Sequence, residues 1–204
     1  MEIMKGCPNL FFTADQHFGH DHLIKKQIRK FATVEDMDEA IIARHNAVVR
    51  RGDLVYSLGD MFLKIEVDRA REIRRRLVGN FYFIEGNHDQ VARKLAKEGA
   101  FVWFRQLESI RIGPPWLGEK QTVVLCHYAM RTWQSSHKGS WQLYGHSHNN
   151  LPEEPHLLSF DVGVDVPEWC MHPVSAEQVI QRMRRKIPAW LAYKESLKGT
   201  DRVE

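Results

Sequence analysis

An α/β fold is predicted for this chain, with a parallel sheet in its N-terminal half. Strand, helix, strand, helix and strand follow one another there, the order expected of parallel pairing with crossovers. From Phe101 onward the texture changes to short strands joined by Gly/Pro turns such as Gly113-Pro114-Pro115, which points to antiparallel pairing. No repeat, linker or low-complexity stretch separates the halves, so residues 1–204 are read as one domain, long enough for a layered core.

Asn9 to Thr13 is apolar throughout and reads as a first strand buried on both faces. His22 to Lys30 looks helical, and Thr33-x-x-Asp36 opens a stronger helix in the manner of a capping box. Asp53 to Leu58 and Asn80 to Ile84 are the next strands, with a very basic helix near Val67 to Leu77 between them. Phe101–Phe104, Leu107–Ile112, Val123–Cys126, Gln142–Tyr144 and Leu157–Val166 are the later strands. A C-terminal helix spans about 175–197, with Pro188 expected to end or kink it, and the tail 199–204 is expected to fray.

Composition narrows the function little: 43% hydrophobic and 27% charged residues are ordinary for a globular protein, and a formal charge of +3 neither demands nor excludes nucleic acid. Cys7, Cys126 and Cys170 lack C-x-x-C spacing, so a cytoplasmic protein without a disulfide framework is expected. The N-terminal apolar stretch is broken by Lys5 and Pro8, and no stretch approaches the length of a membrane span.

Chemistry concentrates in Asp15-x-His17, Gly59-Asp60, Gly86-Asn87-His88-Asp89, His127 and Gly145-His146-x-His148. Any one of these is a weak signal, since a helix cap or a satisfied polar group beside a strand explains it. Together they put carboxylates, imidazoles and a carboxamide just past strand ends, where open α/β sheets place their ligands. Two divalent cations fit such a set. Cations that close repel, so an anion must lie between them, and Asp60, alone at its strand end, is the natural bridge. Imidazole and carboxylate suit Mn, Fe, Zn, Co or Ni, with manganese placed first. The neutral carboxamide of Asn87 leaves the pocket positive, which suits a phosphate.

With Thr13-Ala14-Asp15-Gln16-His17-Phe18-Gly19-His20, Cys126-His127-Tyr128 and the stretch Gly139 to His148, these ordered motifs resemble the calcineurin-like metallophosphoesterase superfamily. They are most similar to its small phage-type or bacterial stand-alone members, over about Phe11 to Val174. The resemblance implies a four-layer α/β/β/α sandwich of two mixed β-sheets flanked by helices. It implies one metal on Asp15, His17 and His148, a second on Asn87, His127 and His146, and Asp60 bridging both. His88 would contact substrate oxygen and protonate the leaving group. Ala129 departs from the pattern, since related chains often carry Pro after the His-Tyr pair, but it touches no implied ligand.

The expected activity is hydrolysis of phosphomonoesters or phosphodiesters, nucleotides among them, by in-line attack of a hydroxide bridging two metals. Asp60 and His88 are the expected catalytic residues, and Asn87, His88, His20 and Arg131 the expected substrate contacts. A nuclease acting on single-stranded or structured nucleic acid is the alternative, and an idle protein-binding scaffold ranks third. The expected partner is thus a small phosphate ester, with nucleic acid second and no membrane.

Several residues carry a plainer expectation. His22 is a residue of the loop or helix start, and His45 a surface or boundary residue. Trp133 and His137 pack the loop after His127. Asp165 could orient a ligand imidazole through its second N–H. The basic clusters around Arg69 to Arg76 and Arg182 to Lys186 are read as solvated helix faces, with nucleic-acid contact as the other reading.

Overall fold

The computed structural model describes residues 8–114 and 116–198. The segment holding Lys5 and Cys7, the tail 199–204 and Pro115 lie outside the described residues. Two mixed β-sheets are flanked by helices. In the first sheet β1 (Leu10–Thr13), β2 (Leu54–Ser57), β3 (Asn80–Ile84) and β4 (Trp103–Arg105) run parallel. A short antiparallel strand, β9 (Val174–Ser175), closes the edge beside β1, giving the order β4-β3-β2-β1-β9. The second sheet has the order β5-β6-β7-β8, formed by Leu107–Ile112, Gln121–Cys126, Trp141–Tyr144 and Ser159–Asp161.

Antiparallel pairing, expected throughout the C-terminal half, holds in the second sheet only for β5 and β6; β6, β7 and β8 are parallel. The connections 127–140 and 145–158 are long enough to carry the chain back to the same end of the sheet, as parallel strands require. The expected strand at Phe101–Phe104 forms two residues later and joins the first sheet. It does so through α4 (Gln90–Lys97), a short helix that the sequence reading did not pick out.

Strand alternation divides the core. Leu10, Phe12 and Ala14 join Val123, Leu125, Leu143 and Phe160 in one apolar cluster between the sheets, while Phe11 faces a second cluster. That second cluster lies under α2 (Val34–Val48), α3 (Val67–Arg76) and α4. Thr33 caps α2: its hydroxyl accepts from the Asp36 N–H at 3.1 Å, and Asp36 accepts from the Thr33 N–H at 3.2 Å. The helix expected over His22–Lys30 is the single turn α1 (His22–Lys25). Gln27 has φ +55°, which ends the helix and lets Arg29 turn inward.

The last helix, α5 (Ala176–Lys198), runs through Pro188 instead of ending there. Val179, Ile180 and Met183 before the proline are buried in the inter-sheet cluster, and Trp190 after it packs against the same cluster. Tertiary packing on both sides thus outweighs the missing hydrogen bond. No helix among the described residues is long and apolar enough to cross a membrane.

His45 is a further correction. It is buried rather than peripheral, hydrogen-bonds the Val78 carbonyl through Nε2 at 2.8 Å, and stacks on Phe81. Burial pushes its imidazole down to about 4. A histidine depressed in this way stabilises the fold fully above its unfolded value near 6.5, and the contribution is lost as pH falls through about 4. Urea unfolding is expected to show a loss of about 3 kcal/mol from this group between pH 7 and pH 4. His45→Gln should lack that component; an identical pH profile in the variant would refute the assignment.

Candidate metal centre

Every motif residue lies just beyond a strand end: Asp15 and His17 after β1, Asp60 after β2, Asn87 after β3, His127 after β6, and His146 and His148 after β7. The two sheets meet at this rim. Ala14 forms a bridge with Gly163, and the His146 N–H lies 3.0 and 2.9 Å from the two carboxylate oxygens of Asp15. The β1–β2 pairing continues into the loops, with the His17 N–H donating to the Asp60 carbonyl at 3.0 Å.

The side chains converge as two groups sharing one oxygen. Asp15, His17 and His148 bring ligand atoms within 4.8 Å of one another, and so do Asp60, His127 and His146. Asp60 Oδ2 lies 3.6 Å from His17 Nε2 and 3.5 Å from His127 Nε2, so it stands between the groups. Asn87 Oδ1 is 3.1 Å from His127 Nε2, which places the carboxamide with the second group.

Proton accounting tests whether these atoms suit a cation. His127 Nδ1 is 2.7 Å from the Leu58 carbonyl, which can only accept, so Nδ1 carries hydrogen. Its Nε2 is then free to offer a lone pair and faces Asn87 Oδ1, His146 Nδ1 at 3.2 Å and Asp60 Oδ2. His148 Nδ1 is likewise bound to Asp165 Oδ2 at 2.6 Å, turning its Nε2 toward His17 Nε2 at 3.1 Å. Lone pairs gathered this closely are of the type and number that could hold divalent cations.

Burial and the neighbouring charges pull these groups in opposite directions. Burial pushes the Asp15 carboxyl up to about 7, against the pull of His127 and His148. Burial drives His17 down to about 3, leaving a neutral imidazole of the kind that binds metal. Burial also opposes charge on His127, but Asp60 and Asp15 outweigh it and raise that imidazole.

Strained backbone marks the same residues. Asp15, His17, Asp60, His146 and His148 have φ between 47° and 69°, a region that non-glycine residues rarely occupy and that clusters at functional sites. Asp89 helps to fix these turns by accepting from the N–H groups of Asp60 at 2.7 Å, Met61 at 3.1 Å and Gly86 at 2.7 Å. Glycine is required where carboxylates press on the backbone: a Cβ on Gly86 would lie 2.3 Å from Asp60 Oδ1, and one on Gly145 would lie 2.4 Å from Asp15 Oδ2.

One residue of the site was missed in the sequence. Arg29, 2% exposed, donates to the Asp165 carboxylate through Nε and Nη2 at 2.8 and 2.7 Å. Its guanidinium also donates to the carbonyls of Asp15 and Gln16, both at 2.5 Å. It therefore ties the first ligand loop to the carboxylate that orients His148. Burial would raise Asp165, yet Arg29 and His148 hold it well below the usual carboxylate range. A lone arginine outside any motif gave no signal of this role.

The remaining candidates separate by position. His88 is exposed at the rim, its N–H donating to Asp60 Oδ1 at 2.8 Å and its ring 5.7 Å from that of His17. His20 stacks between His17 and His22, at 5.5 and 5.8 Å. Arg131 and His137 are exposed, and Arg131 makes no hydrogen bond or ion pair with the cluster among the described residues. Trp133 packs against the inter-sheet core and donates to the Ser140 carbonyl at 3.1 Å, a loop-packing role. Tyr128, not singled out beforehand, sets an exposed ring 4.8 Å from His146 and 5.0 Å from His127.

No protein-family model matches the chain. It is 32% identical over 182 residues to the uncharacterized protein MJ1445 of Methanocaldococcus jannaschii, covering 86% of this chain and 92% of that one. The chain belongs to the family of that archaeal protein. It is also similar to the gene 66 protein of Mycobacterium phage L5, 27% identical over 184 residues, covering 79% of this chain and 87% of the phage protein. Among solved structures, the protein of unknown function AQ665 from Aquifex aeolicus shares the fold. Its TM-score is 0.65 at 18% identity, with 86% of this chain and 99% of that one covered.

If the cluster holds manganese, Asp165→Asn is expected to weaken its binding by about 10–100-fold, the usual effect of removing a carboxylate behind a histidine ligand. Calorimetric titration measures this directly, and unchanged affinity would exclude Asp165 from that role.

Proposed function

We propose that this protein is a dinuclear metal-dependent phosphoesterase of the calcineurin-like type, hydrolysing phosphomonoesters or phosphodiesters. The observation that supports this reading most is the single oxygen, Asp60 Oδ2, standing between two histidine-rich groups. In this reading the two sheets with their outer helices are the four-layer sandwich of that superfamily. Asp15, His17 and His148 would hold one cation, Asn87, His127 and His146 the other, and Asp60 both. Such a pair, when bound, supplies Lewis acidity and lowers the pKa of an attacking water.

The chain's own groups do the rest. Asp165 fixes the His148 ring and the Leu58 carbonyl fixes His127, so their lone pairs are aimed before substrate arrives. Hydrolysis forms one P–O bond from water and breaks the ester P–O bond, whose electron pair leaves on the departing oxygen. His88, held at the rim by its N–H to Asp60, is placed to give that oxygen a proton. The basic helix gives a nuclease on long nucleic acid little support. Arg69, Arg71 and Arg76 in α3 are paired with Glu39, Asp68, Glu72 and Glu98.

Protein reconstituted with Mn, Fe, Zn, Co or Ni is expected to hydrolyse bis-p-nitrophenyl phosphate or p-nitrophenyl phosphate. His88→Ala should keep its cations while turnover falls by about 10²–10⁴-fold, most for poor leaving groups. Asp60→Asn should lose at least one cation. Inactivity with all five metals would end this reading, and loss of metal in His88→Ala would remove the proposed role of His88.

A further inference from the structure

A second feature opens beside the rim. A cleft of about 410 Å³ is lined by Phe62, Leu63, Lys64, Ile65, Glu66, His88, Gln90 and Val91. Its volume is within the range of small-molecule sites. It begins at His88, whose backbone N–H is bound to Asp60 Oδ1, so it adjoins the ligand cluster directly. If His88 protonates the departing oxygen, this cleft lies on the leaving-group side.

Lys64 is the cation of this cleft. Neither Lys64 nor Glu66 forms an ion pair among the described residues, whereas most arginines of the neighbouring helix α3 do. Lys64 also sits at φ +55°, a left-handed conformation that lysine has no intrinsic reason to adopt. The segment leading to it is firmly placed. Phe18 pairs with Phe62, the Phe18 N–H donates to the Met61 carbonyl at 2.9 Å, and the Leu63 N–H to the Phe18 carbonyl at 3.1 Å. His20 faces the Lys64 charge, and its Nδ1 is buried without a hydrogen-bond partner.

We propose that this cleft seats the departing portion of the substrate and that Lys64 grips a second anionic group on it. The preferred substrates are then phosphodiesters carrying an additional phosphate, of the size of a short phosphorylated nucleotide. Glu66 and Gln90 offer acceptors and donors to hydroxyl or amino groups, and Phe62 and Val91 offer apolar surface. A simple aryl phosphate uses none of these. The inference rests on the phosphoesterase reading above and narrows its substrate class.

Steady-state hydrolysis of the thymidine dinucleotide d(TpT) is compared with that of d(pTpT) and d(TpTp), which add one terminal phosphate at either end. The metal-loaded full chain is expected to show at least about a tenfold lower KM for one phosphorylated form, equivalent to about 1.4 kcal/mol. That preference should shrink as salt screens the exposed ammonium. In Lys64→Asn, chosen because asparagine tolerates positive φ, the ratio should fall to about one, and Lys64→Arg should keep it. A wild-type ratio near one, or a ratio unchanged in Lys64→Asn, overturns the inference while leaving the phosphoesterase reading in place. Absence of bis-p-nitrophenyl phosphate hydrolysis with every metal overturns both.

Discussion

The position of one carboxylate oxygen constrains the rest of the site. Asp60 Oδ2 can stand between His17 and His127 only because every other hydrogen-bonding group of the residue is engaged. Its second oxygen accepts from His88, its N–H donates to Asp89, and its carbonyl accepts from His17. The left-handed backbone at Asp60 and the bare Cα of Gly86 follow from that requirement. Each strained residue costs of order 1–3 kcal/mol, so the surrounding hydrogen bonds must outweigh several such terms at one rim. Left-handed residues of this kind cluster at functional sites, and five of those described lie at this rim.

Much of this arrangement was legible in the sequence, and the failures have physical causes. Strands β1, β2 and β3 were found nearly to the residue because each is a short, largely apolar run bounded by turn residues, and Thr33 announced its helix by local capping chemistry. Ligand positions were legible because glycine must precede Asn87 and His146, where carboxylates press against the backbone. Strand direction was not. Gly/Pro turns look alike whether a connection closes a hairpin or crosses back, and only the length of 127–140 and 145–158 separated the cases. Arg29 was illegible for another reason. Its partner Asp165 lies far along the chain, and no local pattern encodes a contact made by tertiary folding.

In the basic clusters much of the charge is engaged within the chain. Arg182 pairs with Glu153 and Glu168, and Lys186 with Glu153 and the Ser159 carbonyl, so these cations pin the 150s loop to α5. Arg182 also packs its guanidinium against the faces of Phe160 and Trp169, at 5.2 and 5.4 Å from the ring centroids. Lys64 differs in forming no ion pair among the described residues, although the charge of Asp21 also acts on it.

A gradient of burial gives the two ligand groups different tasks under the proposed chemistry. Asp15 and His17 are buried, and Arg29 and Asp165 brace the His148 that completes their group. Asn87 and His146 of the other group are exposed at the rim, next to His88 and Tyr128. A cation on the first group would be held by preset donors shielded from exchange with solvent. Asn87 and His146 meet solvent while Asp60 and His127 of the same group are buried, so a substrate would arrive at the Asn87 and His146 side. Under the proposed chemistry an ester entering from that side would turn its departing oxygen toward His88 and the Lys64 cleft, while the buried side would be closed to it. Under that chemistry burial alone would set the direction of departure, before any specific contact with the leaving group is made.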